Sequence, residues 1–397
     1  MLGQYRGLGR EIRLLVVARG LTRLPFGFLR VVQAIYLASL GFDPLSIGIL
    51  LTITSIAGTL AVLPSGFLAY RVGLKRLLTM GILLRAVTWT IYASTPNYGF
   101  LAAAAVVGGF GNALYFAPLH AFTAEKSPED RRQAVFSISS FAATGMGFVG
   151  ALMSGLPDYL QETLGWGVAD AYRPLFMLAV VLLLGSALAL APLEDVKKEL
   201  KLQNFVRMSS RRTIGKFAVT NGLIGFGAGF VIPLFSLWFF LRFGLTGAFL
   251  GPLFAASDAT TAVAYLTAPR MAQILGTVRS VAATEFLATL ILVAIPLVDQ
   301  IPLVSILFVA RGLLMHVSMP VQSSFMMGQV ESEERALLSS IVSPPLGLVW
   351  GTPQSLSKLA GGFLMELGML SLPFYLCASF YFASIGAFYA FFRRTEE

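Results

Sequence analysis

The chain has 397 residues, of which 56% are hydrophobic and only 12% charged, and its net charge is +9. The charges stand in short clusters between apolar stretches of about 20 residues, each long enough to cross the ~30 Å hydrocarbon core of a bilayer as a helix. Membrane strands are excluded, because these stretches are continuously apolar, whereas barrel strands alternate and are about half as long. Twelve spans are predicted, near 14–38, 46–69, 77–94, 99–123, 134–156, 173–193, 214–241, 248–268, 279–298, 302–327, 336–364 and 369–392. The fold class is therefore all-α, a polytopic membrane protein of twelve transmembrane helices.

Lys and Arg crowd into the even-numbered connections and both tails, while the opposite side shows only Arg173 and Arg242. Both termini are accordingly expected in the cytoplasm. This inner-surface charge accounts for the basic balance, so no nucleic-acid partner is inferred. No cleavable signal is expected, since the first apolar run is too long and lacks a small-residue cleavage site.

Span 1 carries Arg19, Arg23 and Arg30, which at about 100° per residue fall within roughly 40° of one another, with Phe26 and Gln33 on the same stripe. A charge at mid-span costs at least ~2.5 kcal/mol, so such residues are functional candidates. Arg19 lies near the inner end, where it either snorkels as a structural residue or shares the function of the ladder. Arg23 and Arg30 lie deeper and are expected to face a central cavity. Span 3 adds Arg85, and the predicted spans of the first half contain no Asp or Glu, so an anionic substrate is the simplest missing partner. Planar guanidiniums clamp carboxylates or phosphates in bidentate geometry. The competing account satisfies them with waters and carbonyls.

Asn112 and Tyr115 in span 4, and Asn221 with Phe235 in span 7, are candidate lining residues, with plain packing as the alternative. His120 is expected at the interface. In span 5, Gly145-Met146-Gly147-Phe148-Val149-Gly150 matches a dinucleotide fingerprint by letter, but no strand precedes it, and it reads as a close-packing surface. Gly225 with Gly229, and Gly347 with Gly351, are similar seams, and Pro233, Pro344, Pro345 and Pro353 permit bends. Asp258 in span 8 and Lys358 in span 11 form a candidate ion pair or proton-coupling site. Glu285 in span 9 is expected within two turns of the cytoplasmic face, reaching water. Arg311 in span 10 is a pathway or coupling candidate, and His316, about 140° away, is expected to be packed. Cys377, the sole cysteine, excludes an intrachain disulfide and reads as a packing residue.

The chain also reads twice. Leu40-Gly41-Phe42 matches Phe243-Gly244-Leu245, Ile47-Gly48 matches Leu250-Gly251, and Gly73-Leu74-Lys75-Arg76 matches Gly276-Thr277-Val278-Arg279, all 203 positions apart. Six spans per half keep the same sense, so the copies are parallel, pseudo-symmetric repeats. The expected division is 1–194 for the N-terminal half, 195–212 for a cytosolic linker and 213–397 for the C-terminal half.

With this pattern the chain resembles the major facilitator superfamily over nearly its whole length. Its most specific element is Gly66-Phe67-Leu68-Ala69-Tyr70-Arg71-Val72-Gly73-Leu74-Lys75-Arg76, similar to the family's Gly-x-Leu-Ala-Asp-Arg-x-Gly-Arg-Lys signature, with Tyr70 where the family usually has Asp. The resemblance implies that spans 1, 4, 7 and 10 line the transport path. It also implies that Gly66 lets spans 2 and 11 approach closely, and that Arg71, Gly73, Lys75 and Arg76 belong to a cytoplasmic gate, with Arg132 and Arg335 as further gate residues. Superfamily carriers often couple transport to protons through a buried carboxylate, for which Asp258 is the best candidate.

Catalytic motifs such as His-Glu-x-x-His and Gly-x-Ser-x-Gly are missing from the sequence, and Gly215-Lys216 is followed by Phe217 without an upstream glycine, so neither an enzyme nor an ATP-driven pump is expected. The function expected is secondary active transport of a small anionic or amphipathic organic solute across the plasma membrane, by rocking of the two halves around a midplane site bearing Arg23, Arg30, Gln33, Asn112 and Arg311. The alternative is a multidrug or lipid efflux pump of the same superfamily, with a receptor or channel a remote third. The expected partners are a small-molecule substrate, the lipid bilayer and a proton as candidate coupling ion, with the chain acting as a monomer and no cofactor or metal involved.

Overall fold

The computed structural model describes residues 9–128, 132–196, 210–331, 338, 342 and 347–393. Among the described residues every regular element is helical. The α-helices are α1 (Arg10–Ser39), α2 (Pro44–Val72), α3 (Leu74–Ser94), α4 (Tyr98–Glu125), α5 (Arg132–Leu152), α6 (Leu156–Leu164), α7 (Val168–Leu190), α8 (Arg211–Gly229), α9 (Phe235–Phe243), α10 (Gly247–Leu275), α11 (Thr277–Ala294), α12 (Ile301–Gly328), α13 (Leu348–Glu366) and α14 (Leu372–Phe392). They follow the twelve predicted spans in order, with two spans interrupted. Span 5 is α5 and α6 around a 3-10 turn at Met153–Gly155, and span 7 is α8 and α9 around one at Ile232–Leu234. Pro233, which has no N–H to give, sits in the second break. Nine of the described helical stretches are long and apolar enough to cross a membrane by length and composition. α1 is not among them, because its arginines lower its hydropathy.

The chain forms two compact units. The first comprises Met1–Phe42, Ile53–Leu200 and Leu245–Ala255, and the second Asp43–Thr52, Lys201–Gly244 and Ala256–Glu397. In the first, α1 packs on α5 and α7, and α3 on α4 and α7. In the second, α11 packs on α12 and α14, and α8 on α13 and α14.

Lipid tails are as apolar as leucine, so helices associate in a membrane through close backbone approach. The first unit does this along α1 and α5: a Cβ on Gly27 would meet the carbonyl of Gly147, and one on Gly150 the carbonyl of Leu24. In the second unit Gly229 lies against the carbonyl of Gln354, Gly361 against that of Phe230, and Gly225 has the Trp350 carbonyl 2.9 Å from where its Cβ would be. The glycine-rich stretch of span 5 is thus a packing surface, as its sequence predicts.

The turns carry the repeat. All six described residues with positive φ are glycines, Gly41, Gly73, Gly165, Gly244, Gly276 and Gly368. They form three pairs 203 positions apart, two of them in the sequence matches above and the third, Gly165 with Gly368, new. Only glycine adopts such a φ without a Cβ penalty. At the start of α2, Asp43 accepts hydrogen bonds from the Ser46 amide and hydroxyl, each 2.7 Å. Slight burial works against its charge, but the Ser46 bonds outweigh this and hold the carboxyl below its ordinary value.

Replacing Gly27 with alanine should lower thermal stability in detergent by about 1–3 kcal/mol, since the clash is with backbone atoms that cannot swing aside. Gly145→Ala, whose Cβ meets nothing within 4 Å, should be neutral or slightly stabilising, as alanine is the better helix former. Equal melting temperatures for the two variants would contradict the seam.

Candidate functional site

The arginine stripe of α1 lies within the first unit. Arg19, Arg23 and Arg30 are all half-buried. Arg19 is held by protein, its Nη1 donating to Ser139 Oγ on α5 at 3.0 Å. Arg23 places its guanidinium 4.3 Å from the centre of the Phe26 ring, and Arg30 places its own 5.5 Å from that of Phe254. One turn further on, Gln33 donates to the Tyr92 hydroxyl at 3.0 Å, at the edge of an aromatic cluster of Tyr36, Trp89, Tyr92, Tyr172 and Phe176. Asn112 is half-buried on α4.

Two buried charges in this unit have roles that a single-helix reading does not reveal. Arg85, 6% exposed, lies over the rings of Tyr115 and Phe116 on α4, and Tyr115 shares a 2.6 Å hydrogen bond with Thr22 on α1. Tyr115 is therefore packed, not lining. The expectation that the spans of the first half lack acids is corrected by Asp158, which is buried on α6 and accepts from the Ala248 amide at 2.5 Å. The helical path of span 5 runs past its predicted end at 156 to Leu164, carrying Asp158 inside. There it caps the first turn of α10, whose free N–H groups favour a carboxylate.

In the second unit, Arg311 on α12 is buried under the Phe235 ring, 5.8 Å away, and its Nε has no hydrogen-bond partner among the described residues. Tyr381 on α14, hydrogen-bonded to Cys377, lies within electrostatic reach of both Arg311 and Glu285. Glu285 is 3% exposed, and Ser318 on α12 donates to it at 3.1 Å. This corrects the expectation that Glu285 reaches water: α12 and α14, both packed on α11, cover it. Asn221 and Phe235 are likewise core residues. Asn221 donates to the Phe217 carbonyl and the Met326 sulfur, and Phe235 sits among Phe239, Phe308 and Phe374. Asp258 is half-buried on α10 and Lys358 buried on α13. His316 bonds the carbonyl of Gly312 on its own helix through Nδ1, and His120 is exposed beside Phe136.

The sequence profile of the Major Facilitator Superfamily matches residues 15–217, just over half of the chain. The chain belongs to that superfamily. Among solved structures similar to it, the nucleoside transporter NupG is 15% identical with a TM-score of 0.75, covering 97% of this chain and 100% of its own. A bacterial homologue of the human lysosomal transporter Spinster is 14% identical with a TM-score of 0.72, covering 96% and 97%. The POT family transporter PepTSo is 11% identical with a TM-score of 0.73, covering 98% of each chain. At such identities the likeness shows the fold alone, an all-helical architecture with which the twelve predicted spans are consistent. Comparison with curated protein sequences finds no match.

The superfamily's signature loop after the second helix is clamped inside the first unit. Asp195 accepts from the Lys75 amide at 2.8 Å, its carboxylate fills the space a Cβ on Gly73 would need, and Arg76 Nε lies 3.7 Å from it. Lys75 Nζ caps the end of α7 through the carbonyls of Ala191 and Leu193, each at 2.6 Å. Arg71 is exposed. Among the described residues Gly66 has nothing within 4 Å of a Cβ position, and within the second unit Gly48 of span 2 lies against Gly362 of span 11. Arg335, Arg131, Glu333, Glu334 and the side chains of Arg132 and Tyr70 lie outside the described residues. At the end of α4, Lys126 pairs with Glu11 at 3.2 Å.

Asp195→Ala should cost about 1 kcal/mol, the usual value of a lost helix cap. Asp195→Asn, which keeps an acceptor for the Lys75 amide, should recover most of it. Thermal unfolding of the two variants in detergent checks the clamp, and equal losses would refute the hydrogen bond as its basis.

Proposed function

We propose that the chain is a secondary active carrier that moves a small organic anion, amphipathic in character, across the plasma membrane by alternating access. The observation that carries this reading is the state of Arg23 and Arg30, half-exposed on one stripe of α1 with an aromatic ring against each guanidinium. Each guanidinium lies within cation–π distance of a ring, and its planar N–H fork has the geometry to take a carboxylate or phosphate in two parallel hydrogen bonds. Arginine keeps its proton throughout, so the anion is held by charge at every stage of a transport cycle. Phe26 and Phe254 supply apolar surface beside each charge. Gln33, Asn112 and Arg311 complete the proposed set.

The Lys and Arg bias supports cytoplasmic termini. Gly66, Arg71, Gly73, Lys75, Arg76, Arg132 and Arg335 are proposed to act in cytoplasmic gating, and the protein to work as a monomer. A proton is the proposed coupling ion. Asp258, with Lys358 as its partner candidate, is the carboxylate the sequence favours, and burial makes Glu285 a second. Glu285 also supports the rival reading, efflux of lipophilic cations, for which a buried acid is the natural counter-charge.

Purified protein in proteoliposomes, challenged with carboxylates, phosphates and lipophilic cations on a solid-supported membrane, should give currents evoked by anions. Arg30→Ala should reduce them about tenfold or more, the value of a charge-assisted hydrogen bond, with melting temperature unchanged. Wild-type currents in Arg30→Ala would sink the anion site, and responses confined to lipophilic cations would establish the rival.

The coupling carboxylate is identified separately. Asp258→Asn should abolish proton-driven uptake while leaving counterflow exchange intact. If Glu285→Gln does so instead, coupling resides on α11, and if neither does, the carrier is not proton-coupled through these acids.

A further inference from the structure

We infer that the outer flank of α11 and α14 holds an anionic phospholipid, with its headgroup phosphate at Arg279 and an acyl chain in the groove between the two helices. The two helices pack together within the second unit and leave an open groove of about 780 Å³ between them. Its floor is made of small residues, Ala282 and Ala283 on α11 and Gly386 on α14. Its inner end is closed by Phe286 and Phe382, whose rings lie 5.4 Å apart. At the other end stand the two polar side chains of the lining, Arg279 and Tyr389.

That gradient is the chemical profile of a lipid. Seven residues separate Arg279 from Phe286, about 10 Å along the helix, most of the ~15 Å depth of one leaflet. Arg279 and Tyr389 are exposed, as is Phe286, so the groove opens on the flank of the unit, where a membrane protein meets lipid.

Charge decides which lipid. Arg279 stands in the first turn of α11, at the positive end of that helix. Its repeat counterpart, Arg76, has Asp195 beside it, whereas among the described residues no acidic side chain pairs with Arg279. A phosphatidylcholine would bring its own cation toward that guanidinium; a phosphatidylglycerol brings only the anion. The Lys and Arg bias places this end at the inner face, where anionic lipids meet basic side chains. This inference stands independently of the transported substrate.

The test is native mass spectrometry of the full-length protein in detergent, titrated in turn with dioleoyl phosphatidylglycerol, dioleoyl phosphatidylcholine and glycerol phosphate. Phosphatidylglycerol should be retained best and glycerol phosphate not at all. Arg279→Gln should weaken phosphatidylglycerol retention about fivefold, the effect of one basic side chain at an anionic headgroup, and leave phosphatidylcholine unchanged. Gly386→Leu, filling a position with nothing within 4 Å of its Cβ, should reduce retention of both lipids, while exposed Arg270→Gln should alter neither. Equal retention of the two lipids by the unaltered protein, or unchanged phosphatidylglycerol retention in Arg279→Gln, would overturn the headgroup site. Glycerol phosphate binding as well as the intact lipid would overturn the acyl groove.

Discussion

A membrane helix gains nothing by moving leucine from lipid to another helix, so everything here depends on how closely backbones can meet. In the first unit that contact is the seam of Gly20, Leu24 and Gly27 on α1 against Met146, Gly147 and Gly150 on α5. The seam lies about a quarter turn from the stripe of Arg19, Arg23 and Arg30. Fixing one face of a rigid cylinder fixes the others. The packing glycines therefore determine where the guanidiniums look, and Arg19, at the far edge of the stripe, still reaches α5 through Ser139.

The repeat extends from turns to buried charges. Tyr115 and Ser318 stand 203 positions apart, and each engages a charge from the third span of its half, Arg85 and Glu285 respectively. The hydroxyl position persists, while the charge is reversed in sign and stands three positions out of register, Ala288 being the residue 203 beyond Arg85. A core hydroxyl serves either role, since the Tyr115 ring presents a negative face to a cation and the Ser318 O–H donates to a carboxyl oxygen. The two arginines of the sparsely charged side are also held by acids, Arg173 by Asp170 and Arg242 by Asp299.

Most of the fold was legible because lipid imposes it: apolar length marks a span, and glycine with a neighbouring charge marks a turn. The break at Pro233 was visible as a proline, whereas the 3-10 turn at Met153–Gly155 has no comparable letter. The site was legible where one helix suffices, as for the stripe on α1. It was misread where the answer depends on neighbours. Glu285 was placed near water from its distance to the end of its own span, but α12 and α14 bury it. Asp158 fell two residues past a predicted boundary and caps another helix. Asn221 and Phe235 have the composition of lining residues and the surroundings of a core.

Because the positive-φ glycines recur in register, with φ alike to within about 20° in each pair, corresponding hairpins of the two halves are joined through similar backbone conformations. The hairpins are in that sense interchangeable parts. One excised from the first half and spliced at the equivalent positions of the second would meet a glycine of like φ at its joints.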